Sequence, residues 1–539
     1  MTPVPPAASA FSEPEAAALA PYFTNLDAPI FALRNLPETV KGALFARYSR
    51  SPKSLRRLFL DEFLGDMSAV TTTAANDVGA ARAERLYQKV FNEYGDDSVA
   101  QLGGVHLAVE DASNILTKVL ERGRLMAYLE QSTRYIPYTD RRGDAWRYLV
   151  PAELDGSPVR DQYIAAMNAA FETYARWIDP MREWFEARYP KAPGDSDAVH
   201  RAAIRAKALD TLRGLLPAAT QSNVGIYGTG QSYEALLLRM RAHPLDEVRA
   251  AADAMLIELR KIIPAFLTRV DQPDRGGKWT AYLAEIRART AELAERLDAG
   301  ASESESEAEV TLSDFDPEGE IKVVAAAMYP GSSLGDRDLL ALARKLTPGE
   351  REEVLRAAVG PRSNRRHKPG RAFERTSYRF DVLTDYGAFR DLQRHRLLTI
   401  EWQALSARQG YSEPEAVVMA GGARDWRDVM DRSAELYETL VGAGLPDVAQ
   451  YAVSMAYRVR FVMDMNAREA MHVIELRTAP QGHPAYRRVC QQMHRQIAET
   501  AGHRAIAAAM TFADHSEVEL ERLQEERRLE LKRARQTGL

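Results

Sequence analysis

The feature that most constrains the fold of this chain is an internal repeat. Residues 122–135 (RGRLMAYLEQSTRY) align without gaps on residues 394–407 (RHRLLTIEWQALSA). The aligned pairs include Arg122 with Arg394, Arg124 with Arg396, and Gln131 with Gln403. A chain of 539 residues has ample material for two cores. We therefore expect two similar domains in tandem, one for each copy of the segment.

The second copy concentrates positive charge. Arg394-His395-Arg396 places two permanent cations and a titratable ring in three consecutive residues, whereas the first copy has Gly123 in place of the histidine. A guanidinium group offers a planar fork of donors that pairs bidentately with phosphate and stays charged. Arg468 and Arg477 follow in the same half. The second half therefore predicts a site for a phosphorylated ligand.

The first copy keeps a different pattern. Glu130, Ser132 and Arg134 alternate along the chain, so an extended segment would point an acceptor, a hydroxyl and a cation to one face. Such a face is suited to a polar, anionic ligand. The same spacing also permits a structural alternative, in which Arg134 simply pairs with Glu130 on a strand.

Composition excludes several classes of protein. Charged residues make up 27% of the chain and the net charge is −5, which gives no overall bias toward nucleic acid. The single cysteine, Cys490, excludes an intrachain disulfide and a thiolate metal site, and we predict a structural thiol there. The residues suggest no metal site, and no apolar run is long enough to cross a membrane. We expect a cytoplasmic protein.

The clearest boundary is acidic. Residues 302–307 (SESESE) form a low-complexity run that cannot build a core. The predicted organisation is a disordered tail at 1–28, a first domain at 29–297, an acidic linker at 298–320, a second domain at 321–512 and a charged helix at 513–539. Apolar periodicity predicts helices over 202–216, 244–267, 336–346, 425–441 and 486–506. Candidate strands are 29–33, 321–325 and 458–463. The fold class is helix-rich α/β.

Several motifs, taken in order, resemble the flavin-dependent thymidylate synthase family. The two copies together resemble its signature Arg-His-Arg-x-x-Ser-x-Asn-Glu-x-Ser-x-Arg-Tyr, although neither copy carries it whole. Residues 95–98 (GDDS) are similar to the family's Gly-His-Glu-Ser/Thr turn, and 213–217 (RGLLP) to its Arg-x-x-Leu-Pro. Residues 466–472 (NAREAMH) are similar to its Asn-x-Arg-x-x-x-His/Asn, and Arg477 to its terminal arginine.

The resemblance implies roles for residues of both halves. The implied flavin-binding residues are Arg394, His395, Arg396, Asn466, Arg468 and His472, with Ser98 and Glu130 reaching across from the first half. The implied nucleotide-binding residues are Glu130, Gln131, Ser132, Arg134, Arg213, Asp391, Arg394 and Arg477. The family's terminal arginine helps to ionise N3 of the uracil. Arg477 matches that arginine and is therefore the implied catalytic residue. No cysteine is needed, because the family uses no enzyme thiol on the pyrimidine.

Substitutions in the two halves fall on complementary sets. The second half keeps the flavin set and has Trp402, Ala404, Ser406 and Gln450 in place of nucleotide residues, whereas the first half keeps the nucleotide set. Since random decay would be unlikely to spare one full set in each copy, we expect one composite site per chain and not a dead enzyme.

The implied reaction transfers a methylene group from methylenetetrahydrofolate to C5 of dUMP, with FAD reduced by NADPH. Asp391, where the family usually has glutamine, leaves open a related enzyme that acts on another pyrimidine nucleotide. A non-catalytic protein that binds nucleotide or flavin is the second alternative. Because family members are tetramers, we expect a homodimer that forms a pseudo-tetramer, with small molecules as its other partners.

Overall fold

The computed structural model describes residues 11–48, 51–64, 101–298 and 308–537. The chain divides into two compact units. The first comprises residues 1–110, 125–130 and 223–301, and the second comprises 111–124, 131–222 and 302–539. The second unit thus contains segments from both sides of the acidic run.

The described residues form more helices than strands, in a helix-rich α/β arrangement that confirms the predicted fold class. The strands of the described residues are β1 (Gly104–Ser113), β2 (Met126–Glu130), β3 (Arg141–Arg142), β4 (Ala145–Trp146), β5 (Gln221–Thr229), β6 (Val310–Phe315), β7 (Ser377–Asp385), β8 (Thr399–Trp402) and β9 (Arg458–Asn466). The helices before the acidic run are α1 (Glu13–Leu19), α2 (Glu38–Tyr48), α3 (Leu55–Phe59), α4 (Asn114–Leu120), α5 (Arg160–Arg188), α6 (Asp197–Leu212), α7 (Gly230–Arg241), α8 (Asp246–Arg260) and α9 (Lys278–Asp298). The helices after it are α10 (Gly319–Met328), α11 (Asp336–Lys345), α12 (Pro348–Val359), α13 (Tyr386–Leu392), α14 (Glu415–Met419), α15 (Ala423–Gly442), α16 (Pro446–Ala449), α17 (Ala467–Arg477), α18 (Pro484–Glu499), α19 (Arg504–Ala508) and α20 (Leu523–Thr537).

The two sheets that carry the repeats have the same strand order. One sheet runs β1-β5-β2, and the other runs β6-β7-β9-β8, so the order of the first is repeated with one strand added. In both repeats a strand leads directly into a helix, and the residue whose side chain caps that helix occupies the aligned position. Ser113 and Asp385 cap α4 and α13, and Thr229 and Asn466 cap α7 and α17. The duplication read from the sequence is therefore a duplication of structure.

The second unit contains a reciprocal contact between the repeats. Pro217 and Ser454 form an antiparallel bridge. The backbone N–H of Ala218 donates to the carbonyl of Val453, and the N–H of Met455 donates to the carbonyl of Leu216, each at 2.9 Å. The pairs are equivalent when Arg213 is aligned with Gln450. Two equivalent segments related by a local two-fold axis exchange hydrogen bonds in this reciprocal way. The two repeats therefore pair with each other within one chain.

Alternating burial explains the central strand of the second unit. Along β9, Val459, Phe461, Met463 and Met465 are buried and alternate with less buried residues. The strand predicted at 458–463 is thus confirmed, as are helices within each of the five predicted windows. None of the helices in the described residues is both long and apolar enough to span a membrane.

Four expectations differ from the structure. The tail predicted at 1–28 includes α1, where Ser12 and Glu15 form a capping box and Leu19 is buried, so residues 11–28 are folded; residues 1–10 lie outside the described part. The linker predicted at 298–320 includes β6, whose Val310 and Leu312 are buried against β7.

The strand predicted at 321–325 is helical and belongs to α10, because the apolar run packs Val323 and Val324 on one side of a helix. The candidate strand at 29–33 forms only an isolated bridge between Leu33 and Phe23.

Candidate active site

Arginines from both halves of the chain meet two carboxylates inside the second unit. We call this group the arginine cluster: Arg134, Arg213, Arg394 and Arg477 with Asp210 and Asp391. Arg134 Nη2 lies 2.8 Å from Asp210 Oδ2, and Arg213 Nη1 lies 3.4 Å from Asp210 Oδ1. Arg213 Nη1 also lies 3.5 Å from Asp391 Oδ2. Arg477 Nη1 and Arg394 Nη1 lie 3.7 and 3.9 Å from Asp391 Oδ1.

Local structure aims these side chains at one another. Asp210 and Arg213 are three residues apart at the end of α6, so they share a face of the helix. Arg477 is the last residue of α17, where a cation is favoured by the helix dipole. Arg134 follows β2 in a turn, which differs from the extended segment predicted for residues 130–134. Arg134 also pairs with Asp210, so the alternative in which it simply pairs with Glu130 is not needed.

Two residues that the motifs did not indicate complete the cluster. The hydroxyl of Tyr486 accepts a hydrogen bond from Arg134 Nη1 at 3.2 Å, and the guanidinium of Arg477 lies 5.4 Å from the centre of the Tyr486 ring. His483 caps α18, and its Nε2 lies 3.9 Å from Asp210 Oδ1. Asp210 was detectable in the sequence as the residue one helical turn before Arg213, but nothing local pointed to His483 or Tyr486.

The protonation states give the arginine cluster a surplus of positive charge. Burial alone would raise the pKa of Asp391, but Arg394, Arg213, Arg477 and Arg134 together hold it well below its usual range. Burial opposes ionisation of Asp210 as well, but Arg134, His483 and Arg213 together outweigh it, so that the pKa is lowered. Burial lowers the pKa of His483 to about 3, so its ring is neutral at pH 7. Four guanidinium groups and two carboxylates leave the cluster with a net charge of +2.

One donor of this cluster is left over. Arg213 is 4% exposed, and its Nη2 is buried without a hydrogen-bond partner among the described residues. A buried donor of this kind is costly unless something else accepts its hydrogen bond. The arginine cluster therefore combines a net positive charge with a buried donor on Arg213 that is available to a ligand.

The histidine of the Arg-His-Arg segment lies next to this cluster. The Nε–H of Arg477 donates to Nε2 of His395 at 2.9 Å. Nδ1 of His395 lies 3.7 Å from Glu469 Oε1, and the ring centre lies 5.4 Å from that of His472. Burial lowers the pKa of His395 well below 6.5 and that of His472 to about 4, so both rings are neutral at pH 7.

The remaining residues of the flavin set lie around these histidines. Asn466 is the cap of α17 and accepts from the backbone N–H of Glu469 at 2.9 Å. Arg468 donates from Nε to the carbonyl of Pro369 at 2.9 Å, and its Nη1 lies 3.5 Å from Glu374 Oε1. Arg394 and Arg396 are exposed. Lys368 helps to lower the pKa of both His395 and His472, and Arg365 helps to lower that of His472.

His395, Glu469 and His472 could in principle hold a metal ion, because their donor atoms lie within 4.8 Å of one another. Four cations oppose an ion there. Lys368, Arg365, Arg477 and Arg468 all depress the pKa of His472. We assign no metal to the group, and the expectation of a protein without a metal site stays a prediction.

The other predicted residues are placed differently. Gln131 accepts a hydrogen bond from Arg147 at 3.3 Å, and Ser132 Oγ accepts from the backbone N–H of Arg134 at 3.2 Å. Glu130 is buried at the end of β2 and belongs to the first unit. Ser98 lies outside the described residues. Cys490 is buried in α18 and its pKa is raised to about 12 by burial, which agrees with the predicted structural thiol.

A cavity of about 630 Å³ borders the arginine cluster. Asp210 and His483 form part of its wall, opposite the aromatic rings of Trp184, Phe185 and Tyr411. It contains neither His395 nor Arg477. This cavity therefore reaches the cluster from the Asp210 side.

The fold and this site define a class of protein with two copies of one domain. The family model described as "Thymidylate synthase complementing protein" matches residues 45–265 and again 311–501. The chain is 38% identical to a UPF0159 protein of Chlamydia muridarum over 96% of this chain and 98% of the relative, and 30% identical to one of Thermoplasma acidophilum over 91% and 99%.

Shorter relatives match one part of the chain. A flavin-dependent thymidylate synthase of Mycobacterium marinum is 28% identical over 38% of this chain and 76% of the relative. A solved structure of a UMP/dUMP methylase, PolB from Streptomyces cacaoi, shares 21% identity over 37% of this chain and 94% of that chain, with a TM-score of 0.30. The chain belongs to the thymidylate synthase complementing protein family, in a form that contains the domain twice. The membership confirms the predicted enzyme class, a methyltransferase, and implies a flavin cofactor.

Proposed function

We propose that this chain methylates C5 of dUMP reductively, using methylenetetrahydrofolate, FAD and NADPH, at a site built from both halves of a single chain. The observation that carries the proposal is the arginine cluster. Arg134 and Arg213 precede the acidic run, whereas Asp391, Arg394 and Arg477 follow it, and all five lie within one network of charges. Each half has lost the set of residues that the other half keeps. This is the pattern expected if both halves contribute to one shared site.

The charge of the arginine cluster supports a phosphomonoester as ligand. A nucleoside monophosphate carries a charge near −2 at neutral pH, which matches the net +2 of the four arginines and two aspartates. Arg213 Nη2 is a buried donor without a hydrogen-bond partner in the part of the chain that the structure describes, and a phosphate oxygen would accept its hydrogen bond. Arg134 and Arg213 are thus the proposed phosphate-binding residues.

Arg477 is the proposed catalytic residue. Its Nη1 faces Asp391 and its Nε is fixed by His395, so the guanidinium is held by two neighbours. A fixed cation in a site protected from water stabilises negative charge that develops on a pyrimidine ring. Asp391 is ionised and adjacent, and its carboxylate offers only acceptors. This favours a substrate group that can donate, and it keeps a pyrimidine nucleotide other than dUMP as the alternative substrate.

The residues around His395 fit a flavin nucleotide in their chemistry. Exposed arginines at 394 and 396, the Lys368 and Arg365 charges near His472, and the N-terminus of α17 together suit a diphosphate. Arg394, His395, Arg396, Asn466, Arg468 and His472 would hold FAD. The flavin, when bound, supplies the reducing equivalents. Ser98 and Glu130 stay proposed contacts from the first half.

The test is release of tritium from [5-³H]dUMP by the purified yellow protein, given methylenetetrahydrofolate and NADPH. We expect release that depends on both additions. Release from a labelled cytidine or uridine monophosphate in preference to dUMP would support the other pyrimidine substrate. Bound flavin and bound nucleotide without release from any of them would refute catalysis and leave a binding protein.

The assembly proposal follows from the repeats. Two chains, each standing for two protomers of the family, would form a pseudo-tetramer with two flavins. Sedimentation analysis with a flavin count per chain tests it: a dimer with one flavin per chain is expected. Two flavins per chain would contradict a single composite site.

A further inference from the structure

The carboxylate of Glu469, the imidazole of His395 and the guanidinium of Arg477 lie in a row, and Arg477 connects this row to the arginine cluster. Glu469 Oε1 lies 3.7 Å from Nδ1 of His395, and Nε2 of His395 accepts from Nε of Arg477 at 2.9 Å. All three side chains are largely buried: Glu469 is 5% exposed, His395 is 7% exposed, and the side chain of Arg477 is 14% exposed. Neither the sequence motifs nor the family comparison singled out Glu469.

The contact with Arg477 fixes which nitrogen of His395 carries the proton. An arginine Nε–H can only donate, so Nε2 of His395 must be the acceptor and Nδ1 must carry the hydrogen of the neutral ring. Nδ1 then carries its hydrogen 3.7 Å from Glu469 Oε1, a distance at which the contact is electrostatic and longer than a hydrogen bond. The opposite tautomer would place two donors against each other between His395 and Arg477, and Arg477 would lose the contact that aims it.

We propose that Glu469 is a positioning residue, which holds the Nδ1–H tautomer of His395 and thereby the orientation of Arg477 toward the substrate. This inference rests on the proposed function only for the role of Arg477. The tautomer and its dependence on Glu469 are properties of the chain itself and can be measured without turnover.

Glu469 can change its charge near neutral pH. Burial raises its pKa to about 7, although Lys368 and Arg468 act in the opposite direction. The other charged or titratable groups near this line are His472, Arg365 and Asp391. The ionised carboxylate can only accept from Nδ1–H. The protonated carboxyl can also donate to Nδ1, which favours the tautomer with the proton on Nε2. That tautomer cannot accept from Arg477. We therefore expect the orientation of Arg477 to be fixed above pH 7 and to be lost progressively below it.

The chain offers a matched pair of substitutions on α17. Glu469→Gln removes the titration and keeps an acceptor for Nδ1–H. Glu475→Gln removes another buried carboxylate of the same helix, whose partner is Arg362 at 2.6 Å and not His395. Any effect of merely losing a buried carboxylate from α17 should appear in both variants, whereas the tautomer effect should appear only at Glu469.

Turnover gives the first readout. Between pH 8 and pH 6 the ionised fraction of a group with a pKa near 7 falls about tenfold, so the parent kcat should fall about tenfold more than that of Glu469→Gln. The KM for dUMP should change much less, because Arg477 acts on the charge that develops during reaction. Glu475→Gln should retain the pH profile of the parent. A Glu469→Gln profile that follows the parent throughout would overturn the proposal.

Nitrogen NMR of the holoenzyme with ¹⁵N-labelled histidine gives the second readout and needs no turnover. With His395 assigned through His395→Gln, we expect a protonated Nδ1 in the parent at pH 8 and a mixture of tautomers in Glu469→Ala. A protonated Nε2 in the parent, or an unchanged tautomer in Glu469→Ala, would refute the role of Glu469. A parent with the expected tautomer but without release of tritium would instead refute the proposed function alone.

Discussion

The neutral state of His483 can be tested through the pH dependence of stability. The ring touches Asp210, and the net charge of +2 assigned to the arginine cluster requires it to be neutral. His483→Asn removes the titratable ring and keeps a side chain that can cap α18, as His483 does when its Nδ1 accepts from the N–H of Ala485 at 3.1 Å. The substitution leaves a small cavity, whose cost does not depend on pH.

The size of the effect follows from the lowered pKa. The folded value is about 3 and the ordinary value is 6.5, so the stabilisation is complete above pH 6.5 and is lost as the pH falls toward 3. Each pH unit within that window corresponds to about 1.4 kcal/mol, so the parent should lose about 2 kcal/mol between pH 8 and pH 5 through this residue. His483→Asn should not lose that amount.

Chemical denaturation of parent and variant at several pH values measures the difference. The free energy of unfolding of His483→Asn, relative to the parent, should rise by about 2 kcal/mol from pH 8 to pH 5. His367→Asn, which replaces an exposed histidine outside the cluster, serves as the control for replacing a histidine by asparagine. A flat difference for His483→Asn would mean that folding does not lower the pKa of His483, so that the ring becomes protonated beside Asp210 as the pH falls through about 6.5.

Four further outcomes test the site. His395→Ala and Arg468→Ala should lower the flavin absorbance per chain while circular dichroism stays unchanged; full absorbance in both would exclude them from the flavin site. Arg134→Ala and Arg213→Ala should keep flavin but weaken dUMP binding in calorimetry by about 1.5 to 3 kcal/mol each, and equal affinities would contradict the phosphate role. Arg477→Lys should bind dUMP yet turn over slowly, because an ammonium cannot reproduce the guanidinium fork; near-normal kcat would remove Arg477 from the mechanism. Co-expressed His395→Ala and Arg134→Ala chains should regain no activity if each site is built within one chain, whereas recovery would show sites formed between chains.

Motif spacing selected residues from distant parts of the chain that lie together in the structure. Arg134, Arg213, Arg394 and Arg477 were all selected from the sequence, and the structure brings all four to Asp210 or Asp391. Spacing succeeds here because charged residues near helix ends and strand ends keep their local direction. The alternating pattern did not show that β2 ends at Glu130 and that the hydroxyl of Ser132 accepts from the N–H of Arg134, since such a pattern cannot show where a strand ends.

The sequence alone determined the duplication, the helix-rich α/β class and which residue types each repeat retains. These properties reside in local periodicity and in the order of motifs along the chain. Only the tertiary structure decided that residues 111–124 and 131–222 fold with the half that follows the acidic run. That choice brings Arg134 to Tyr486 and aligns Glu469, His395 and Arg477. It depends on contacts between segments hundreds of residues apart, where burial and charge compensation favour one arrangement, and no short pattern of residues records them.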